Sequence, residues 1–307
     1  MRFFGLGGAP EDAAVKERRE ASQRNLEAGG LPFNAIDRLR EQAGRQGTPG
    51  HIFTSDFSVN ELALTRQAGC EPLGQVMGSS VYHVGWQYLP SWSGSSGELQ
   101  VLTQAYYQAR HLALGRLQQE AALLGATGIV GVRLERKQYE WGEGLLEFAA
   151  IGTAIREPDA PAQQTAPFVS ALSGQEFWTL RQAGYRPVGF ALGNCTYYQV
   201  PTYRTQNATA GGFWGGGWTN QELPDYTQAL YDARELAMSR MEAEALAVNA
   251  IGVLGADIEI EAIPREVGSD NNRRIDMLYH FTAVGTAIAP YQGRWPQFSV
   301  LNSVPLA

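Results

Sequence analysis

The chain has 307 residues, a formal net charge of −7 and 18% charged side chains, below the ~25% usual for soluble domains. Its length suits two domains, and its low charge suits surfaces that are shared rather than fully solvated. Lys16 and Lys137 are the only lysines among scattered arginines, which excludes a basic nucleic-acid footprint, and no apolar run reaches the ~18–20 residues of a membrane span.

The first residues meet Glu11 and Asp12 after a very short apolar patch, so the apolar region of a secretory signal is missing and a cytoplasmic location is expected. Cys70 and Cys195 fit a reducing compartment, although they would also allow a single bridge in an oxidising one. Residues 1–50 read as a helical extension. Pro10–Ala28 has Pro at its start and Gly29 after its end, the usual helix punctuation. A second short amphipathic piece, Phe33, Ile36, Leu39 and Ala43, is expected to dock on the remainder of the chain or on a neighbouring copy.

From residue 51 the chain repeats itself. Ser58–Tyr82 lies over Ser173–Tyr197 at a constant offset of 115, with Arg66-Gln67-Ala68-Gly69 over Arg181-Gln182-Ala183-Gly184. The offset grows to 124 across a Gly- and Trp-rich loop, so that Ala109-Arg110 meets Ala233-Arg234, and to 133 across the loop at Val267–Asn272, so that Gly152-Thr153-Ala154-Ile155 meets Gly285-Thr286-Ala287-Ile288. Insertions collect in loops because loops tolerate them. The repeats span 51–157 and 166–290, joined by the linker 158–165, and an arm follows at 291–307.

Each repeat predicts a Gly-punctuated strand (73–86; 188–200), an aromatic loop, a long helix (99–124; 224–248) and two further strands (128–139 and 145–156; 252–263 and 274–289). The helices share a stripe at three- and four-residue spacing, rich in alanine at its centre: 102, 106, 109, 113, 117, 121 and 124, and the same positions plus 124. Gly125 and Asn249 stand where left-handed C-caps belong. The fold class is α+β, two tandem β-α-β-β repeats as two-layer sandwiches. A three-stranded sheet that small needs an edge partner or a neighbouring unit, so a homo-oligomer is expected. The arm, nearly uncharged and rich in apolar side chains, suits a groove, and with the N-terminal helices and aromatic loops it is a candidate contact for a further protein partner.

The opening strands with Gly74 and Gly78 or Gly189 and Gly193, the loop run Phe213-Trp214-Gly215-Gly216, the helix runs Gln108-Ala109-Arg110-His111 and Asp232-Ala233-Arg234-Glu235, the turn Gly125–Gly131 and the closing Gly-Thr-Ala-Ile together resemble the YbjQ-like domains of bacteria and archaea. That family carries a heavy-metal-binding label and includes a selenium-binding member. The resemblance implies a dodecin-like fold assembling into a pentameric ring, hence five chains here, with no catalysis implied. Tandem duplication and the two nine-residue loop expansions depart from the family pattern.

The metal label finds no repeated ligand set: Cys70 aligns with Tyr185, Cys195 with Ser80, and His83 with Tyr198. Cys195, Cys70 and His83 are the candidates, Cys195 for its place in the bend Gly193-Asn194-Cys195, where a turn would expose sulfur. No metal or selenium cofactor is assigned. Arg110 with Arg234, Arg116 with Arg240, and Glu120 with Glu244 hold equal places on the two helices; Arg116 and Glu120, like Arg240 and Glu244, are i, i+4 neighbours and form either intrahelical ion pairs or contacts across a subunit boundary. Trp86, Trp92, Phe213, Trp214 and Trp218 are read as assembly anchors, which large rings commonly are. No nucleotide-, zinc-hydrolase- or serine-hydrolase-type signature occurs. The expected function is a non-catalytic oligomeric scaffold; the alternative is a metal- or selenium-binding protein with a pocket between subunits.

Overall fold

The computed structural model describes residues 13–49, 52–84, 95–138, 145–158, 166–209, 220–268 and 273–291. Two helices lead, α1 (Ala13–Glu27) and α2 (Phe33–Arg45). The first repeat follows as α3 (Val59–Gln67), β1 (Glu71–His83), β2 (Gly97–Glu98), α4 (Gln100–Leu123), β3 (Gly128–Gln138) and β4 (Leu145–Arg156). The second comprises β5 (Phe168–Val169), α5 (Gly174–Gln182), β6 (Tyr185–Gln199), α6 (Tyr203–Thr209), α7 (Pro224–Ala247), β7 (Gly252–Val267) and β8 (Arg274–Pro290).

Each long helix lies across an antiparallel sheet by its alanine stripe. Ala109, Ala113 and Ala121 are fully buried in the first repeat, as are Ala233 and Ala237 in the second. Gly78 and Gly193 complete the fit, since a Cβ on either would overlap the Ala113 or Ala237 carbonyl of the helix above. Phe148 and Phe281, equivalent residues of β4 and β8, anchor the two cores. Both helices end as predicted, with Gly125 at φ 73° and Asn249 at φ 56°. The leading piece α2 docks on the first repeat within its own chain, with Leu39 fully buried.

Two features were not predicted. α3 and α5 precede the β-α-β-β units, each opened by a capping box, Ser58 with Glu61 and Ser173 with Glu176. The sheets are also four-stranded, ordered β1-β4-β3-β5 and β2-β6-β8-β7. The fourth strand comes from the other repeat in both cases: β5 runs parallel to β3 and β2 antiparallel to β6. Part of the edge requirement of each small sheet is thus met inside the chain.

Candidate functional site

At the junction of the two repeats, buried and half-buried polar and charged groups of both meet, Arg110 and His280 among them. The junction is built on the outer edge of β6, where residues of alternating number offer backbone groups away from β8. Glu244 of α7 accepts the Leu192 N–H at 2.8 Å, and Arg240 donates to the Asn194 carbonyl at 2.8 Å. The first repeat supplies the other groups. The Tyr107 hydroxyl of α4 donates to Leu192 O at 3.2 Å and accepts the Asn194 N–H at 3.1 Å; Thr103 Oγ1 accepts the Thr196 N–H at 3.0 Å. Arg240 also grips Glu98 of β2 with two bonds, 2.6 and 2.9 Å.

Glu120 and Arg116 repeat the helix half of this pattern on β1. Glu120 accepts the Met77 N–H at 2.9 Å and Arg116 donates to Ser79 O at 2.7 Å. Other Arg116 donors go to Leu26 O in the last turn of α1 and to Gly30 O in the α1–α2 connection, and Glu120 takes Arg38 of α2 at 3.1 Å. Neither of the repeated i, i+4 pairs is therefore an intrahelical ion pair. Each Glu and Arg instead clamps one N–H and one C=O of the long first strand of its own repeat, and Arg240 also crosses a boundary between repeats.

Arg110 is 2% exposed. Its Nη2 donates to Thr282 Oγ1 of β8 at 2.8 Å, and its guanidinium lies 4.9 Å from the Phe148 ring centre; Nε and Nη1 have no hydrogen-bond partner among the described residues. Burial lowers its pKa to about 10. It lines an inter-repeat cavity of about 450 Å³ shared with Arg133, Arg136, Asp257 and Glu259. Arg234, its equivalent in α7, is exposed. A second inter-repeat cleft, about 740 Å³, lies between α4 and the start of β6; there His111 meets Glu244 at 3.3 Å.

The metal candidates stand apart. Cys70 joins the cluster between repeats, where Arg181 donates to its sulfur at 2.6 Å. Cys195 is not exposed at a bend: it lies in continuous β6 opposite Phe281, fully buried in the second core. Its side chain faces the helix because the strand alternates there without interruption. Burial pushes both thiols up to about 12, against the pull of Arg181 and Arg240 respectively, so neither has the thiolate character of a ready nucleophile or ligand. His83 is exposed at the end of β1. Among the described residues no three His, Cys, Asp or Glu side chains group as a metal site. Trp86, Trp92, Phe213, Trp214 and Trp218 lie outside the described residues, as does the arm from 292.

Glu98, Thr103 and Tyr107 were not singled out from the sequence. Their recurrence as Glu222, Thr227 and Tyr231 at the offset of 124 is the signal that marks them.

A sequence profile described as "Putative heavy-metal-binding" (YbjQ) matches residues 70–157 and 216–290. The chain belongs to the YbjQ family. A relative from Mycobacterium tuberculosis named "Encapsulin nanocompartment protein Rv1762c" is 46% identical over 212 residues, 68% of this chain and 78% of its own. Proteins named UPF0145 from Mycobacteroides abscessus and Archaeoglobus fulgidus are 35% and 38% identical over 85 and 89 residues. Those stretches cover 27% and 28% of this chain but 78% and 81% of theirs, so these YbjQ relatives have the length of one repeat and the present chain carries two.

Proposed function

We propose that this YbjQ-family chain is a non-catalytic assembly protein, a cytoplasmic scaffold whose repeats join into a ring of five chains. The observation that carries the reading is β7: its 16 residues are, among the described residues, an edge strand largely exposed on both faces, whereas its equivalent β3 is paired on both sides. A long bare edge is a template for another chain. The name of the M. tuberculosis relative supports an assembly role, and the protonated thiols speak against covalent catalysis through cysteine. The N-terminal helices, the C-terminal arm and the aromatic loops are the proposed contacts for cargo or a further protein; no helix of the described residues is long and apolar enough to cross a membrane. Light scattering at micromolar concentration tests the reading: a mass near five times 33.5 kDa is expected, and a monomeric mass overturns it.

The family description favours a second reading, a metal- or selenium-binding pocket between subunits. Stoichiometric metal or selenium retained by untagged protein after dialysis would make this the better one.

A further inference from the structure

The contact between the two repeats has a giving and a receiving face, and each recurs in the other repeat without a matching partner strip among the described residues. On the receiving side of the first repeat, the strip Phe168–Leu172 lies along β3. Ser170 N donates to Ile129 O, while Gly131 N and Val132 N donate to Leu172 O and Ser170 O, at 2.8–2.9 Å. The Phe168 ring covers Gly128 so closely that a Cβ there would overlap it. With Phe177 it closes a cluster over Val130 and Ile155.

The second repeat keeps the same receiving face, and among the described residues its start at Gly252 is bare; further along, Leu172 lies 3.2 Å from a Cβ built at Gly255 and Arg136 of β3 pairs with Glu259 and Glu261. Gly252 stands for Gly128, with no atom within 4 Å of a Cβ built there. Gly255 (φ 60°) stands for Gly131 (φ 66°) at the same register shift of the strand pair. A pocket of about 330 Å³ between α7 and the start of β7, lined by Met241, Ala245, Ile251, Gly252 and Val253, occupies the position that Pro167 and Phe168 fill on the first repeat. Leu254, equivalent to buried Val130, is 42% exposed, and Tyr231, equivalent to the bridging Tyr107, is 63% exposed.

The first repeat in turn keeps the giving strip. Phe53, Ser55, Phe57 and Leu62 stand for Phe168, Ser170, Leu172 and Phe177. Ser55 Oγ is 3.0 Å from Thr153 Oγ1, as Ser170 Oγ is 3.3 Å from the equivalent Thr286 Oγ1, so the strip is held against its own repeat in the same way, and among the described residues no strand pairs with its outer edge.

We infer that β7 and α7 of one chain receive residues 52–57 of a second copy, Phe53 entering the pocket over Gly252 and Tyr231 reaching the β1 edge at Met77 and Ser79, in a head-to-tail repetition of the contact between the repeats. The inference rests on the assembly reading above and names its surface. Such a heterologous contact closes into a ring when its rotation divides the circle. One element differs from the internal contact: the last turn of α1 and the α1–α2 connection already occupy the Arg116 donors whose Arg240 equivalents meet Glu98, so Glu222 lacks the partner that Glu98 has.

Gly252→Val tests the pocket, since its side chain enters open space in the single chain and displaces only an incoming Phe53. The expected result is at least a tenfold weaker assembly on dilution with unchanged circular dichroism. A second variant reads contact directly. Thr54 and Val253 stand for Val169 and Ile129, which are paired in register, so Thr54→Cys with Val253→Cys, oxidised, gives a ladder of covalent multimers that collapses with reductant and is missing from either single variant. If wild type assembles while Gly252→Val keeps its mass and the double variant gives no ladder, this contact is wrong and the assembly reading stands. A monomeric wild type overturns both.

Discussion

Arg240 and Glu98 form a two-bonded ion pair, 2.6 and 2.9 Å, that ties α7 of the second repeat to β2 of the first. The Glu98 side chain is only 12% exposed. Burial raises its pKa, but hydrogen bonds from Arg240 and Thr103 and the Arg240 charge outweigh that and hold it below the ordinary 4.5.

Glu98→Gln is therefore expected to destabilise the chain by about 1.5–3 kcal/mol, the usual range for a hydrogen bond to a charged group. The sign with pH follows from the lowered carboxyl: its contribution is complete above the ordinary carboxylate range and is lost as pH falls through the folded value. Denaturant midpoints measured from pH 7 down to 3 should converge for wild type and variant at the acid end. A constant gap would show that the carboxylate charge contributes nothing.

Gly78→Ala and Gly193→Ala are expected to cost about 2 kcal/mol or more each, because the new methyl meets helix backbone, which yields only by moving the helix off the sheet. Gly44→Ala and Gly115→Ala, with open space at both sites and both inside helices, should be neutral or stabilising by about 0.5–1 kcal/mol. Thermal melts of the four variants decide it; equal losses at all four would refute the close-approach explanation.

The large elements were legible because they repeat a period: the alanine stripe of α4 and α7 fixes which face is buried, and the duplication doubles the signal. The helices α3 and α5 have nine residues each, and α3 buries only Thr65, too little for a stripe, although Ser-x-x-Glu stood at both starts. Strands β2 and β5 have two residues, which carry no period, and their partners lie in the other repeat. Glu120 and Glu244 were visible as equivalents, but their roles depend on strand N–H groups 43 and 52 residues away. Spacing within a helix offers no trace of that.

Cys70 and Cys195, both buried and both with thiol pKa raised to about 12, are expected to resist a disulfide reagent in the native protein and to react fully in denaturant. Cys70→Ser with Cys195→Ser should keep the native mass, since Arg181 retains its bond to Ala68 O at 3.1 Å. Rapid native labelling of either cysteine would mean that sulfur is accessible, and would reopen the metal-binding reading.

His280 supplies the last expectation. Its ring lies in the junction, 4.9 Å from that of Tyr106, with Nδ1 3.0 Å from Thr196 Oγ1. Burial lowers its pKa from 6.5 to about 4, Arg136, Arg110 and Arg265 act in the same direction, and Glu261 opposes them. In the folded chain it is therefore neutral where the unfolded chain would protonate it. Stability is complete above about 6.5 and declines as pH falls toward 4, because across that window the unfolded state binds the extra proton. The whole effect of this one group is about 3 kcal/mol. His280→Gln removes the titration while leaving a polar side chain near Thr196. At fixed chain concentration, the difference in unfolding free energy between wild type and variant should thus shrink by most of that amount between pH 7 and 4. A difference independent of pH would mean that His280 titrates alike in both states, and that the junction is open to water where the structure has it closed.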